Sequence, residues 1–341
     1  MAPPTSYRRP AFTLIELLVV VALILLLAVL AVVFYPDIST SERATRGASN
    51  IQGWLLIAKQ RAKRDGLPTG LRFLTYTTSA GSTFCNEIVY IQQPPDFAVG
   101  RCTAVTTLGS GALQATLNTN VQGSQYTAAG TENEFDVQNG DYLELYGGGY
   151  IRQIFSISTS SSTTTLTTLT NSAAYPGAST SPSVPTTAAT SPGPNYRIVR
   201  QPRELPGEPT LTLPYNVGID LTTPGSNVGG VSGATVAAWS NPPVRTSLNP
   251  TSTYSYREVV FSPAGAVIGS GNQQPYDGQI YLWVRDLTVA NITSDPQQGD
   301  PTIIAVQTRS GLIGAYPVAP INTTYNNDPF YLTKVARSSG L

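Results

Sequence analysis

The N-terminal part of the chain carries two hydrophobic patterns in succession. Over residues 12–35 nearly every position is apolar, and Glu16 is the one acidic residue in the run. A stretch of about 20 such residues is long enough to cross a bilayer as a helix. Further along, apolar residues such as Ile51 and Leu55 recur every three or four positions, which predicts a helix with one buried stripe. The two patterns together predict one long helix over residues 12–65, and its first part would span a membrane.

From residue 66 onward, the pattern changes to short apolar runs that are separated by Gly, Pro and Asn. Several runs alternate between apolar and polar positions, which is typical of strands with one buried face. Two stretches predict β-hairpins, one turning at Gly147–Gly149 and the other at Ser310–Gly311. The sequence therefore predicts an α+β fold, in which a long N-terminal helix packs on an antiparallel, β-rich globular head over residues 66–341.

Basic residues are distributed unevenly about the apolar run. Arg8 and Arg9 precede it, and the next basic residue is Arg43. Because basic residues stay on the cytoplasmic side, this predicts a single-pass protein with a cytoplasmic N-terminus and a head outside the cytoplasm. A secretory signal peptide is the alternative, but its apolar region usually has about 7–15 residues and ends at a small-residue cleavage site.

A basic cluster at the predicted helix end consists of Lys59, Arg61, Lys63 and Arg64. It is a candidate DNA-binding stripe or, alternatively, a solvated helix end where cations favour the helix dipole. The chain has 20 Lys and Arg against 20 Asp and Glu; two of the basic residues and one acidic residue precede position 36, which leaves 18 against 19. This balance does not favour phosphate binding, so nucleic acid is not an expected partner.

Glu16 is unusual within an apolar run, since a carboxylate in hydrocarbon is costly and is usually paired. It ends the stretch AFTLIE, which follows a short basic leader at residues 1–11. This combination resembles the class III signal of type IV pilins and pseudopilins, although the family usually has Gly where this chain has Ala11. The resemblance implies that prepilin peptidase cuts between Ala11 and Phe12 and methylates the new amino group, giving N-methylphenylalanine. It also implies that Glu16 pairs with the terminal amine of a neighbouring subunit during assembly.

The same resemblance implies where the protein lies and what it contacts. The precursor would be held in the bacterial inner membrane, with its head in the periplasm or outside the cell. On assembly it would enter a pilus or a type II secretion pseudopilus. Its expected partners are other pilin or pseudopilin subunits, prepilin peptidase and the inner-membrane assembly platform.

Later stretches resemble one subgroup of this family, GspH/FimT. They include the helix end with the strand after it, WLLIAKQRAKRDGLPTGLRF, and the turn FSPAG at residues 261–265. Strands of that subgroup follow one another closely, so the resemblance implies an insertion at residues 103–208 of this chain. Within it, residues 173–195 are rich in Ser, Thr and Pro and have little to bury, which predicts an unpacked loop, either glycosylated or unmodified.

Two cysteines, Cys85 and Cys102, lie outside the membrane on this topology. An even pair in an oxidising compartment predicts a disulfide, and two unpaired buried thiols are the alternative. The acidic side chains at positions 132, 134, 136 and 141 offer oxygen ligands for Ca²⁺, but their spacing fits no EF-hand loop and a solvated loop is the simpler interpretation. No metal ligand is therefore assigned.

The chain contains no histidine, which removes Ser-His-Asp and Cys-His catalysis and His-based metal sites. We expect no catalytic residue and no cofactor, and the protein is predicted not to be an enzyme. The favoured function is a structural subunit, and a minor one, because a large head packs poorly at the close spacing of a filament shaft. A tip-located binding module that contacts secreted substrates, surfaces or DNA is the alternative, and a membrane-tethered hydrolase is a third, disfavoured hypothesis.

Overall fold

A computed structural model describes residues 14–78, 81–108, 112–119, 121, 137–146, 150–160, 163–169, 194–222, 239–249, 252–268, 278–288, 299–320, 325 and 328–338. Its helices are α1 (Leu14–Asp65) and α2 (Tyr331–Ser338). Its strands are β1 (Thr69–Thr77), β2 (Thr83–Gln92), β3 (Cys102–Thr107), β4 (Leu113–Leu117), β5 (Tyr142–Leu145), β6 (Tyr150–Thr159), β7 (Thr164–Thr168), β8 (Tyr196–Val199), β9 (Arg203–Glu204), β10 (Leu211–Thr212), β11 (Val217–Asp220), β12 (Val244–Asn249), β13 (Ser252–Phe261), β14 (Val267–Ile268), β15 (Gln279–Asp286), β16 (Thr302–Gln307) and β17 (Ile313–Pro317).

Helix α1 is 52 residues long, and its second half packs on the head. One stripe of small and aliphatic side chains is fully buried there: Ala44, Ala48, Ile51, Leu55, Ala58 and Ala62. The helix is followed by Gly66, whose φ of 67° is the left-handed conformation that favours glycine at a helix C-terminus. Counting only the residues that the structure describes, no helix is both long enough and apolar enough to cross a membrane. The membrane-spanning part at residues 12–35 stays a prediction.

Eleven strands form the main sheet, in the order β12-β13-β1-β2-β11-β15-β16-β17, with β9 and β10 paired to β2 and β14 paired to β13. All strand pairings within the described part of the chain are antiparallel. The expected antiparallel, β-rich head is therefore confirmed. The pilin-like arrangement of helix and head stays a prediction.

The main sheet is covered on both faces, as strand β15 shows. Its side chains are buried along the whole strand because they alternate between two cores. Leu282 and Val284 belong to the core beneath α1. Trp283 belongs to an aromatic cluster on the opposite face, where its ring centroid lies 4.7 Å from that of Trp239 and 5.5 Å from that of Phe330.

Between β2 and β9 the chain forms a second sheet of six strands, in the order β3-β4-β7-β6-β5-β8. This sheet has a hydrophobic core of its own, which includes Leu117, Leu143 and Leu166. Strands β5 and β6 form the predicted hairpin, and its Gly147–Gly149 turn lies outside the described residues. Of the predicted loop at 173–195, only residues 194 and 195 are described.

The two connections between the sheets leave the main sheet side by side. Gln92 on β2 is paired with Arg203 on β9. The excursion, residues 93–202, which contains the second sheet, therefore begins and ends at neighbouring positions. On the main-sheet side, Arg72 donates a hydrogen bond of 2.9 Å to the carbonyl of Pro202. Consequently, no strand of the second sheet lies between strands of the main sheet.

Candidate functional site

The first half of α1 presents apolar side chains to its surroundings on every side. Large aliphatic residues from Leu14 to Val29 are between 45% and 82% exposed, which is far more than a soluble helix usually leaves uncovered. They are Leu14, Ile15, Leu17, Leu18, Val19, Val20, Val21, Leu23, Ile24, Leu25, Leu26, Leu27 and Val29. This surface gains free energy when another apolar phase or another chain covers it.

Glu16 lies in the first turn of α1 and is exposed. A carboxylate at this position is favourable because the helix N-terminus carries a partial positive charge. Ala11 and Phe12, the predicted processing and methylation residues, lie outside the described residues. The structure thus places the predicted assembly residue at the start of an apolar, exposed helix.

Basic residues at the other end of α1 are engaged with the head. Lys59 donates hydrogen bonds from Nζ to the carbonyls of Ser310 (3.0 Å) and Gly311 (2.8 Å) in the turn before β17. Burial, with Lys63 as a second cause, lowers the pKa of Lys59. Arg61 forms a salt bridge of 2.8 Å with Glu208.

Arg61 also stacks 4.5 Å from the ring centroid of Tyr90, and Arg64 is paired with Asp65 at 2.7 Å. The contacts of Lys59 and Arg61 anchor the helix to the head, whereas Arg64 pairs with its neighbour on the helix itself.

Two turns of the main sheet meet beneath Lys59. Gly265, the last residue of the FSPAG turn, has φ 88°, and Gly311 has φ 60°. A Cβ built on Gly311 would lie 2.0 Å from the carbonyl oxygen of Gly265, so only glycine fits. The sequence predicted both turns but not their contact, because nothing in two separate glycine-containing motifs indicates that they meet in space.

The structure corrects the predicted disulfide. Cys85 and Cys102 are both free thiols, and the alternative of two buried, unpaired cysteines describes them. The physical reason is that they belong to different hydrophobic cores, Cys85 to the core beneath α1 and Cys102 to the core of the second sheet. Each Sγ donates instead to a backbone carbonyl two residues further on, at Glu87 (3.1 Å) and Ala104 (3.4 Å).

Of the four acidic candidates for Ca²⁺, only Asp141 is described, and it is fully buried rather than solvated. Its carboxylate accepts hydrogen bonds from the backbone nitrogens of Gln138 (2.9 Å) and Gln201 (2.8 Å) and faces Arg203 at 3.2 Å. Burial raises the pKa of Asp141, and Arg203 opposes that shift. Within the described ranges, no cluster of three or more metal-ligating side chains is present.

Sequence reasoning did not anticipate the buried ion pairs of the main sheet. Arg285 on β15 pairs with Asp220 on β11, and both side chains are essentially inaccessible. Arg72 on β1 donates from Nε to Glu258 on β13 at 2.8 Å. No local pattern marks these residues, since each partner is far away in the sequence, although it lies on a neighbouring strand of the sheet.

Comparison with known protein families bears on the N-terminal half of α1. Residues 7–32 match the model of the prokaryotic N-terminal methylation motif. The chain carries a class III signal. Comparisons with characterised proteins and with solved structures gave no match.

The class III signal includes Ala11, Phe12 and Glu16 and extends over most of the exposed apolar helix. It is the signal of pilin-type, membrane-anchored precursors, and it implies interaction with prepilin peptidase and with pilin subunits in general. It covers none of the head, so it gives no information on the GspH/FimT resemblance.

Proposed function

We propose that this protein is a minor structural subunit of a type IV pilus or a type II secretion pseudopilus, related to the GspH/FimT subgroup, and not an enzyme. Prepilin peptidase removes residues 1–11 and methylates the amino group of Phe12. The precursor is a single-pass protein of the inner membrane, with its head in the periplasm. One observation carries the proposal: the class III signal coincides with a helix half whose apolar side chains are exposed all round.

Burial of this helix half drives both anchoring and assembly in the proposal. Covering one Leu or Ile side chain completely is worth about 1.5–3 kcal/mol, and thirteen large apolar residues are exposed here. Lipid covers them before assembly, and the helices of neighbouring subunits cover them afterwards. The same surface therefore serves both states without a change of fold.

Glu16 sets the register between subunits in this proposal. The processed amine at Phe12 is cationic at neutral pH, because an α-amino group has a pKa of about 8. In apolar surroundings an ion pair is much stronger than in water, and an unpaired carboxylate is strongly unfavourable. Only a position that brings the amine of one subunit to Glu16 of its neighbour satisfies both groups.

The large head supports a minor position in the filament. It consists of a main sheet that packs on α1 and a second sheet formed by residues 93–202. The second sheet is connected to the main sheet where β2 and β9 pair. Such a head occupies more lateral space than a repeating shaft subunit allows. A tip-located binding module is the second candidate, and the separate core of the second sheet favours it.

The first experiment is mass spectrometry of the mature N-terminus from native membranes. We expect N-methylated Phe12 as the first residue. Ala11→Gly should be processed as well as the natural chain, whereas Ala11→Leu should retain the leader because a bulky residue does not fit where a small one is read. A natural chain that keeps Met1 or Ala2 would contradict the proposal.

The assembly role is tested with Glu16→Gln, which keeps the shape of the side chain and removes its charge. We expect this variant to be cleaved but to stay in the membrane fraction, whereas the natural chain also enters sheared filament fractions. Arg46→Gln, at an exposed position further along α1, is the matched control and should assemble normally. Equal amounts of the Glu16→Gln variant in filaments would contradict the pairing.

A further inference from the structure

Four strands of the second sheet, β3, β4, β7 and β6, carry a face of polar side chains opposite the core, and these side chains are half-buried or exposed. On β3, β4 and β7, side chains alternate between this face and the core. Val105, Ala115 and Leu166 point inward and are fully buried. The residues on either side of them point outward and are half-buried or exposed.

The outward side chains form two rows across the strands. In one row Thr106 is paired with Gln114, Gln114 with Thr167, and Thr167 with Ser156. In the other row Thr116 is paired with Thr165, and Thr165 with Ser158. Six hydroxyl groups and one amide are thus arranged in register over four neighbouring strands.

These polar groups are available to a ligand. Within the described residues, none of the seven side chains donates or accepts a hydrogen bond in the chain itself, so water satisfies them in the free protein. Neighbouring strands are about 4.8 Å apart, and outward residues on one strand repeat about every 6.6–6.8 Å. The face therefore offers a regular grid of hydrogen-bond donors and acceptors.

The grid also carries no charge. The segments CTAVTT, LQATL and TTLTT, together with IFSIST at residues 154–159, contain no Lys, Arg, Asp or Glu. Threonine is restricted at χ1 because its Cβ is branched, so ordering these hydroxyls on a ligand costs little conformational entropy. A neutral ligand with its own regular hydroxyl groups matches this face in both charge and hydrogen-bonding capacity.

We propose that this face binds a neutral polysaccharide surface. A polysaccharide chain presents hydroxyl donors and acceptors at each sugar ring, and an extended chain laid across β3, β4, β7 and β6 can pair with several of them at once. The proposal goes beyond a structural role in a filament. It does not depend on processing at Phe12 or on a position in the filament.

Two other occupants fit the face less well. A second copy of the chain would need a central patch of large apolar or aromatic side chains, and the outward rows contain none. A nucleic acid would need Lys or Arg against its phosphates, and the four strand segments contain neither. Charge and composition therefore favour the polysaccharide.

Co-sedimentation of the full chain in detergent with microcrystalline cellulose and with powdered chitin tests the proposal. We expect retention on at least one of the two. Thr165→Val and Thr167→Val together should weaken it about thirtyfold, because two lost hydrogen bonds of about 1 kcal/mol each correspond to that factor, and valine keeps the shape and strand propensity of threonine. The matched control, Thr75→Val with Thr212→Val, changes two exposed strand threonines of the main sheet and should bind like the natural chain.

A second variant distinguishes a loss of binding from a loss of folding. Thr106→Glu lies on the edge strand β3, where an exposed side chain is replaced without disturbing the core, and it places a charge in the neutral row. It should also reduce retention. The proposal is overturned if the natural chain binds neither solid. It is also overturned if the Thr165→Val/Thr167→Val variant binds as well as the natural chain, or more strongly, as apolar adsorption would give. Mass spectrometry of the same sample separates this result from a failure of processing.

Discussion

At the scale of single residues, the state of each cysteine follows from the core around it. Cys85 and Cys102 are both fully buried, each among the aliphatic side chains of a different sheet. Burial raises the pKa of Cys85 to about 12 and that of Cys102 to about 11, because a thiolate is poorly solvated there. The expectation of a disulfide came from the compartment and from an even count, and neither contains information on which core receives each residue.

These pKa shifts predict that the protein becomes less stable in alkali. Both pKa values are higher in the folded state than in the unfolded chain, where a thiol titrates at about 8.5, so the stabilisation is complete below that pH and is lost as the pH rises towards the folded pKa. Between pH 9 and pH 10, each thiol should lower the free energy of unfolding by up to about 1.4 kcal/mol per pH unit, and the contribution of Cys102 should decline as the pH approaches its folded pKa of about 11. Urea unfolding at several pH values measures this slope.

The double variant Cys85→Ala/Cys102→Ala is the control for the slope. Its absolute stability should fall because two small cavities form, but its loss of stability per pH unit should be clearly smaller than that of the natural chain. An unchanged slope would show that other groups, such as Tyr196, whose pKa burial also raises, account for the alkaline effect. In urea without reductant, a thiol reagent should modify both cysteines.

At the scale of elements, the C-terminal end of α1 and two turns of the main sheet form one packing unit. Lys59 joins α1 to the turn at Ser310 and Gly311, and its Cε would lie 3.1 Å from a Cβ on Gly265. The two glycines bring the backbones of the turns into direct contact. This unit fixes the helix to the sheet at the end that lies far from the class III signal.

A substitution that separates the two turns should be strongly destabilising. Gly311→Ala requires both a left-handed alanine at φ 60° and a Cβ at 2.0 Å from the oxygen of Gly265, so the turns must move apart. We expect a loss of about 3 kcal/mol or more in the free energy of unfolding, measured in urea.

Gly207→Ala is the matched control for this substitution. Gly207 has φ 80°, and nothing lies within 4 Å of a Cβ built on it, so its replacement tests the backbone conformation alone. It should cost about 1–2 kcal/mol. If the two variants lose equal stability, the close approach of the turns makes no contribution and this account of the unit is wrong.

Strands rich in large apolar residues could be predicted from the sequence, whereas strands whose residues resemble those of the neighbouring loops could not. Residues 279–285 and 302–308 predict strands that the structure places at β15 and β16, because Ile, Leu, Trp and Val dominate the first and Ile and Val the second. By contrast, β3 and β4 were not predicted, since their Thr, Ala and Gln residues differ little from those of the neighbouring loops. β3 pairs with β4, and β4 pairs with β7, so their burial depends on contacts that the local sequence does not contain.

At the scale of the whole molecule, the chain combines parts with different physical roles. The apolar half of α1 is exposed and matches the methylation motif, and its second half is a structural element of the main sheet's core. The second sheet has its own core, is connected to the main sheet where β2 and β9 pair, and also approaches it where β6 lies beside β12. The N-terminal signal could be predicted because it is a short contiguous motif, and the six-stranded second sheet could not because it depends on contacts over long distances in the sequence.

This arrangement predicts that the second sheet can be removed without unfolding the main sheet. In an antiparallel pair, Gln92 and Arg203 lie about 5 Å apart, so two glycines can replace residues 94–201 and leave Pro202 in place for Arg72. Arg203 should be changed to Gln in the same variant, because the excision removes its buried partner Asp141. We expect one cooperative unfolding transition with a midpoint close to that of the natural chain, measured by circular dichroism and urea.

A partial deletion is the control for that excision. Removing only residues 102–117 takes away β3 and β4 and leaves apolar residues such as Ile154 and Leu166 without the core side chains that these strands contribute. That variant should aggregate or be digested rapidly by protease, whereas the complete excision should be soluble in detergent and resistant. If the complete excision is as unstable as the partial one, the main sheet needs the second sheet for its stability, and the second sheet is a structural part of the head rather than a separable module.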